Sequence, residues 1–333
     1  VDVLLTGASG FIGAHIADEL ARGGAKVRAF CRSEPPPGAR VADWVCGDVT
    51  DGPALARAAR GCEAVVHAAA LYSYSRADAP AMEAINVEGT RNVLEAGRRA
   101  GIGRVLVTST SATCGPVPGR PADEGDDPPR WELRVPYKRT KIEAERLAVK
   151  AGATCVNPTT VVGAGDRNPT PSGKMIRDLV EGRIGGYMRG GGLNIVAVED
   201  VARGHALALE HGRPGERYIL GGDDLWLRDA FKLALKALGR SAPRLAIPWG
   251  PVYGAAVVAD VAGRLIGREP QLLVLDEVRL ARLPLFFSSA KARRELGYVP
   301  RPAADALAAA ATWFGERRAR ATTSSAASGS WAV

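Results

Sequence analysis

Short apolar runs closed by turn residues, each followed by helical periodicity, recur through the first half of the chain. Val3-Leu4-Leu5 is the first such run, ending at Thr6-Gly7, and it reads as a strand buried on both faces. From Phe11 the spacing changes, and Phe11, Ile12, Ile16 and Leu20 fall on one face of a predicted helix. The same alternation predicts strands over 27–31, 44–46, 64–67, 105–108 and 154–156, with helices over about 53–60, 82–100 and 137–151. Strand and helix in turn argue for an α/β fold, a doubly wound parallel sheet with helices on both faces. Ligands then lie beyond the carboxyl ends of the strands, where Gly7, Asp48, His67, Thr110 and Asn157 fall.

Beyond residue 158 the rhythm breaks. Residues 163–173 are rich in Gly, Pro, Asn and Thr, the composition of an ordered loop or lid. Further strands are predicted over 195–198 and 217–220, and helices over about 228–238, 251–266 and 303–315. The expected division is a dinucleotide-binding domain over 1–158, to which 194–221 returns, and a smaller substrate lobe built from 159–193 and 222–315. Residues 316–333, poor in apolar side chains, are expected to be disordered.

Composition narrows the function. With 46% hydrophobic residues among 333, the chain can bury a sizeable core. The formal charge is +8, but the basic residues are interspersed with acids, as in Lys141-Ile-Glu143-Ala-Glu145-Arg146, which fits solvated helix faces and not a nucleic-acid partner. Cysteines 31, 46, 62, 114 and 155 form no CxxC pair, and four sit at or beside predicted strands, as suits reduced thiols in a cytoplasm. No basic leader with an apolar run precedes the first strand. Asp260 interrupts the longest apolar segment, so no membrane insertion is expected. No histidines or acids show metal-ligand spacing, and no Gly-x-Ser-x-Gly elbow is present.

Two constellations carry chemistry. Gly7, Gly10 and Gly13 stand where the first strand turns into the first helix; there the backbone can approach a pyrophosphate and the helix N-terminus can stabilise its charge. Tyr137 and Lys141 lie four residues apart on a helix and so stack on one face. A neighbouring ammonium and a positive nicotinamide ring favour the phenolate, which makes the phenol a usable proton shuttle near neutral pH. Thr108-Ser109-Thr110-Ser111 supplies hydroxyls to polarise a substrate oxygen. Tyr72 and Tyr74 follow in a loop near the expected substrate.

With these motifs the chain resembles the extended short-chain dehydrogenases/reductases of the NAD-dependent epimerase/dehydratase family. The likeness rests on Thr6-Gly-x-x-Gly-x-x-Gly13, Gly47-Asp48-Val49, His67-Ala-Ala-Ala70, Asn86-Val-Glu-Gly-Thr90, Thr108-Ser-Thr110 and Tyr137-x-x-x-Lys141. Asn157-Pro158-Thr159, Pro169-Thr-Pro-Ser-Gly173 and Arg217-Tyr-Ile-Leu-Gly-Gly222 are similar to the hopanoid-associated sugar epimerase and dihydroflavonol reductase-like subgroup. The resemblance implies a Rossmann fold and a homodimer formed through the helices near 85–100 and 137–151. It implies that Gly7, Gly10, Phe11, Ile12 and Gly13 hold the pyrophosphate and that Asp48 and Val49 meet the adenine. Ala68, Ala69 and Asn157 would also touch the cofactor. Tyr137 would be the acid/base, Lys141 would bind the ribose, and Thr110 would hold the substrate oxygen, with Ser111 as fallback. Asn86 is expected to steady helix and strand.

Three departures from the family pattern shape the expectation. Cys31-Arg32 stands where NAD-users often carry an acid for the ribose 2′-hydroxyl, so NADP(H) is expected to be preferred, with NAD(H) possible. Ser111-Ala112 replaces the Asp-Glu pair of sugar 4,6-dehydratases. Leu193-Asn194 stands where nucleotide-sugar enzymes tend to have an arginine, leaving Arg189 as a substitute, and Ala197 replaces the subgroup's histidine. The expected function is therefore hydride transfer between a nicotinamide and a secondary alcohol or ketone of a small molecule. The alternatives are a sugar epimerase with a non-exchanging cofactor and a non-catalytic dinucleotide sensor.

Overall fold

The computed structural model describes residues 1–33, 41–73, 75–266, 270 and 274–328. The amino-terminal half contains β1 (Asp2–Thr6), α1 (Phe11–Arg22), β2 (Lys26–Cys31), β3 (Asp43–Cys46), α2 (Gly52–Ala58) and β4 (Ala64–His67). Next come α3 (Ala79–Met82), a π-helical stretch (Glu83–Glu88), α4 (Gly89–Arg99), β5 (Arg104–Thr108), α5 (Pro136–Lys150) and β6 (Thr154–Pro158). The other half carries β7 (Thr160–Val162), α6 (Pro171–Val180), β8 (Gly186–Met188), β9 (Gly192–Ala197), α7 (Val198–His211), β10 (Arg217–Leu220) and β11 (Asp223–Trp226). It ends with α8 (Leu227–Lys236), β12 (Leu245–Ile247), α9 (Trp249–Ile266), α10 (Leu275–Leu280), β13 (Pro284–Leu285), α11 (Ala290–Leu296) and α12 (Ala303–Ser328).

Seven parallel strands form the main sheet in the order β10-β6-β5-β4-β1-β2-β3. The period of two along the buried strands divides the core. Val3 and Leu5 join Ile16, Leu20 and Val201 on the side of α1 and α7, whereas Leu4 faces Leu55 and Val93 on the side of α2 and α4. The order of connection reverses between β1 and β4, and that reversal opens a crevice at the strand ends.

Three further strands pair with β9, β7 and β13 parallel to it and β11 antiparallel. The apolar faces of α6, α8 and α12 cover this small sheet through Ile176, Leu179, Phe231, Leu235, Leu307 and Phe314. The segment 194–221 does not return whole to the main sheet as expected. Residues 194–197 stay in the small sheet, and the chain rejoins the large one through α7, packed on α1, and β10. Asn194 explains this. Its buried amide receives Thr159 Oγ1 (2.8 Å) and Gly222 N (2.9 Å), and donates to Asp224 Oδ1 (2.7 Å) and Phe287 O (3.1 Å), stapling four chain segments together.

Two other expectations are corrected. The helix foreseen over 82–100 contains a π-helical turn, where Asn86 bonds the backbone of Leu71 in both directions (2.8 and 3.0 Å) and Thr140 Oγ1 (3.1 Å). The last helix does not stop near 315 but runs to Ser328. Arg317 stacks over Trp313 at 4.8 Å, Arg318 reaches Val180 O (3.2 Å), and Glu316 to Arg320 are good helix formers despite their polarity. Residues 329–333 lie outside the described ones. Cys31, Cys62, Cys114 and Cys155 are buried free thiols, and Cys46 is exposed. Among the described residues no helix is long and apolar enough to cross a membrane.

Asn194→Ala strands several buried partners at once and is expected to destabilise the chain by roughly 3 kcal/mol, measured by denaturant unfolding.

Candidate active site

The crevice begins at the turn after β1. Gly7 adopts φ +76°, and a Cβ there would lie 2.7 Å from Ala69 N. A Cβ on Gly13 would fall 2.0 Å from Gly7 O. No side chain fits at either position, so α1 starts hard against the strand ends. Gly10 caps α1 with no side-chain bond, which leaves first-turn amides to meet an anion.

A cavity of about 500 Å³ runs from this turn between the two sheets. Gly7, Gly10, Phe11, Ile12, Gly13 and Ala68 line one end. Thr108 to Ala112, Tyr137, Lys138 and Lys141 line the middle. Val161, Pro171, Met175, Leu193, Leu285 and Phe287 form the far wall, with Thr170 and Ser172 beside them. Ser109 Oγ, in the middle stretch, is buried without a hydrogen-bond partner. A glycine cradle at one end and an unmet hydroxyl further in fit a dinucleotide laid along the cavity.

Tyr137 occupies the first turn of α5, with the ring of Tyr72 at a centroid distance of 4.1 Å and a tilt of 56°. Lys141, one turn on, is buried and donates from Nζ to Thr108 O (2.8 Å). Burial pushes its ammonium down to about 8, and the Glu145 carboxylate opposes that shift. Thr110 follows β5; its hydroxyl accepts from Ala112 N (3.3 Å) and its carbonyl from Asn157 Nδ2 (3.1 Å).

Two histidines lie beneath the centre as neutral spacers. Thr90 Oγ1 donates to Asn86 O (2.6 Å) and so accepts from His67 Nε2 (3.1 Å), while Thr6 Oγ1 donates to His67 Nδ1 (2.7 Å). Burial, helped by the Lys141 charge, holds His67 down at about 3. His205 donates to Val201 O (2.8 Å) and accepts from Thr108 Oγ1 (2.8 Å), and burial holds it at about 4.

The structure brings Tyr72, Thr110, Ser111, Tyr137 and Lys141 to one cavity, with the glycines at its end. Ala69 packs on Gly7 beside it. Arg32 is exposed at the end of β2, its Nε 4.0 Å from Asp48 Oδ2. Asp48 Oδ1 accepts from Thr50 N and Oγ1 (2.9 and 2.8 Å). Val49 is buried against Gly89 and is not part of the cavity lining. Two expectations are corrected. Asn157 is fully buried and is not among the residues that line the cavity; its Nδ2 lies within bonding distance of Thr110 O, Thr113 Oγ1 and Glu145 Oε2, while its Oδ1 is buried without a partner. Arg189 is exposed at the end of β8, where its backbone pairs with Ile247 (3.0 Å), and does not line the cavity. Tyr74 lies outside the described residues. Sequence reasoning missed Lys138, which lines the cavity while paired with buried Glu132. Lys138 adjoins Tyr137, but its partner lies in a separate short 3₁₀ turn that carries no motif.

Gly13→Ala is expected to weaken NADH and NADPH binding roughly 100-fold by calorimetric titration, about 2.7 kcal/mol. Gly103→Ala, where a Cβ meets nothing within 4 Å, leaves binding unchanged.

The sequence profile of the NAD dependent epimerase/dehydratase family matches residues 3–221. A Synechocystis sp. protein provisionally assigned as a dihydroflavonol 4-reductase is 36% identical, covering 93% of both chains. Sterol demethylase protein B of Methylococcus capsulatus is 32% identical over 94% of this chain and 98% of its own. The crystal structure of gox2253 superposes with a TM-score of 0.83 at 38% identity, covering 95% of this chain and 98% of the other. The glycine cradle, the Tyr137–Lys141 helix and these likenesses agree: the chain is an NAD(P)-dependent enzyme of the NAD-dependent epimerase/dehydratase family, with the extended short-chain dehydrogenase/reductase fold.

Proposed function

We propose that this enzyme interconverts a ketone and a secondary alcohol on an apolar small molecule. The observation that carries the reading is one cavity with Tyr137, Lys141 and the hydroxyls of 109–111 at its middle and an apolar far wall. Among the described lining residues, that far wall holds no basic side chain to meet a sugar-nucleotide diphosphate. The named relatives, a dihydroflavonol reductase and a sterol demethylase component, point to ring-bearing apolar substrates. A sugar epimerase would use the same central residues, but the apolar wall favours the ketone.

A bound nicotinamide supplies or accepts the hydride. Tyr137 gives the substrate oxygen its proton in reduction and removes it in oxidation. Thr110 holds that oxygen, with Ser111 beside it, and polarises the carbonyl. Lys141, held charged beside Tyr137, stabilises the phenolate left after proton donation and meets the ribose. Gly7, Gly10 and Gly13 would hold the pyrophosphate of a bound dinucleotide, and Asp48 would meet its adenine. Arg32, exposed at the end of β2, meets a 2′-phosphate, which gives the preference for NADP(H). Pairing of two copies through α4 and α5 belongs to the same reading.

Tyr137→Phe is expected to lower kcat by roughly 10²- to 10⁴-fold with the NADPH dissociation constant little changed. The assay is nicotinamide absorbance across steroid, flavonoid and alkyl ketones, and retained turnover contradicts the acid/base role. Arg32→Ala is expected to weaken NADPH binding about tenfold and leave NADH binding unchanged. Equal effects on both nucleotides, measured by fluorescence titration, would sink the NADP preference.

A further inference from the structure

Two of the cysteines stand side by side where β2 and β3 end. Cys31 is the last residue of β2 and Cys46 the last of β3, and the parallel pairing of these strands sets them directly opposite each other. The period of two puts both side chains on one face of the sheet. Cys31 joins Val27 and Ala29 in the core on the α1 side, whereas Phe30 and its register partner Val45 pack on the α2 side. Trp44, two residues before Cys46, reaches over the same face and donates from Nε1 to Cys31 Sγ at 3.0 Å. Paired residues on adjacent strands have Cα atoms about 4.8 Å apart, inside the roughly 4.4–6.8 Å that a disulfide spans. Cys62, Cys114 and Cys155 have no cysteine opposite: the first two lie outside the strands, and Cys155 pairs with Val107 and Arg217.

The two thiols differ in access. Cys46 is exposed, with its Sγ 3.6 Å from Arg32 O. Cys31 is 5% exposed, and burial pushes its thiol up. An oxidant in solution therefore meets Cys46 first, and Cys31 stands behind it as the resolving thiol. Hydrogen peroxide takes the Cys46 thiol to the sulfenic acid and leaves as one water. The Cys31 sulfur then attacks the Cys46 sulfur, and the S–S bond forms as the S–O bond breaks. The hydroxyl departs with the Cys31 proton as a second water. The two sulfurs lose two electrons, and the O–O bond of the peroxide takes them up.

The residues beside this pair are those assigned to the adenosine half of the dinucleotide. Arg32 follows Cys31 directly and Asp48 comes two residues after Cys46, with Arg32 Nε 4.0 Å from Asp48 Oδ2. Phe30 O, just before Cys31, accepts from Gly7 N of the glycine turn at 3.2 Å, and Cys31 O accepts from Gly47 N at 3.1 Å. Drawing the two sulfurs into bonding distance takes them from Trp44 Nε1 and Arg32 O and shifts the strand ends that carry Arg32 and Asp48.

We propose that Cys31 and Cys46 are a site of oxidative modification: peroxide closes them into a disulfide, and the closed form binds the dinucleotide less tightly at its adenosine end. The effect on binding rests on the reading of Arg32 and Asp48 as adenosine contacts, whereas the disulfide itself does not.

The test treats the reduced full chain with one equivalent of hydrogen peroxide. Thiols are counted by alkylation and intact mass, and the link is located by digestion without reductant. The expected product is two hydrogens lighter, has two fewer reactive thiols and yields one linked peptide pair that holds Cys31 and Cys46. NADPH binding, followed by fluorescence titration, is expected to weaken about tenfold on oxidation and to recover with dithiothreitol. Cys46→Ser, at an exposed position, is expected to show neither the link nor the loss of affinity, and in the reduced state to bind NADPH as the parent does. Oxidation that stops at Cys46 alone, or that joins two chains through it, overturns the proposal and leaves the reading of Arg32 standing. A link between Cys31 and Cys46 with NADPH affinity unchanged overturns the effect on binding. Arg32→Ala on the reduced chain then separates the two readings: weakened NADPH binding there keeps the adenosine placement, and unchanged binding removes it as well.

Discussion

There is no room for a side-chain atom between the start of α1 and the ends of β1 and β4. Gly7 and Gly13 meet that constraint, and much of the molecule depends on it. Because the helix begins against Gly7 O and the backbone of 68–69, its unpaired amides open into the crevice where the sheet order reverses. Parallel strands buried on both faces then deliver their carboxyl ends to the same edge. The hydroxyls after β5 and the helix that follows face the cofactor groove as a consequence of topology.

That edge has to be polar where it meets ligand and satisfied where it does not. Below the cavity, His67, Thr6, Thr90 and Asn86 close one chain of hydrogen bonds, and Asn157, Thr113, Glu145 and Arg217 close another. Both run between elements distant in sequence, so they fix the relative placement of β4, α4, α5 and β6. Lys141 stands between the two networks. The second lobe contributes a different surface, the apolar side chains of β9, β13 and α6, and Asn194 ties that lobe to the end of the main sheet.

The main sheet and the centre of the site were legible because their signals are local. Val3 to Gly13 carries strand, turn and helix within eleven residues, and Tyr137 and Lys141 need only helical periodicity to share a face. Of the small sheet around β9 only that central strand was legible, and the separate β8–β12 pair was not. β7, β8, β12 and β13 are two or three residues long, too short for a period to register, and they pair with segments far away in sequence. Asn157 and Arg189 were misjudged for a related reason. Each has a residue type suited to a ligand, and only the folded chain reveals that one is buried outside the cavity lining while the other is exposed just after β8. Lys138 went unnoticed because its meaning depends on Glu132, which no pattern connects to it. The polar residues after 315 looked structureless, yet their helical propensity and the contacts of Arg317 and Arg318 carry the helix onward.

The most direct test is to follow deuterium from the transferable position of reduced NADPH and NADH in the presence of apolar ring ketones. The account expects deuterium on the carbinol carbon of the product, with one cofactor oxidised for each alcohol formed. If sugar nucleotides were instead interconverted with the cofactor retained and no net oxidation, the ketone reading would be contradicted, and the same central residues would belong to an epimerase.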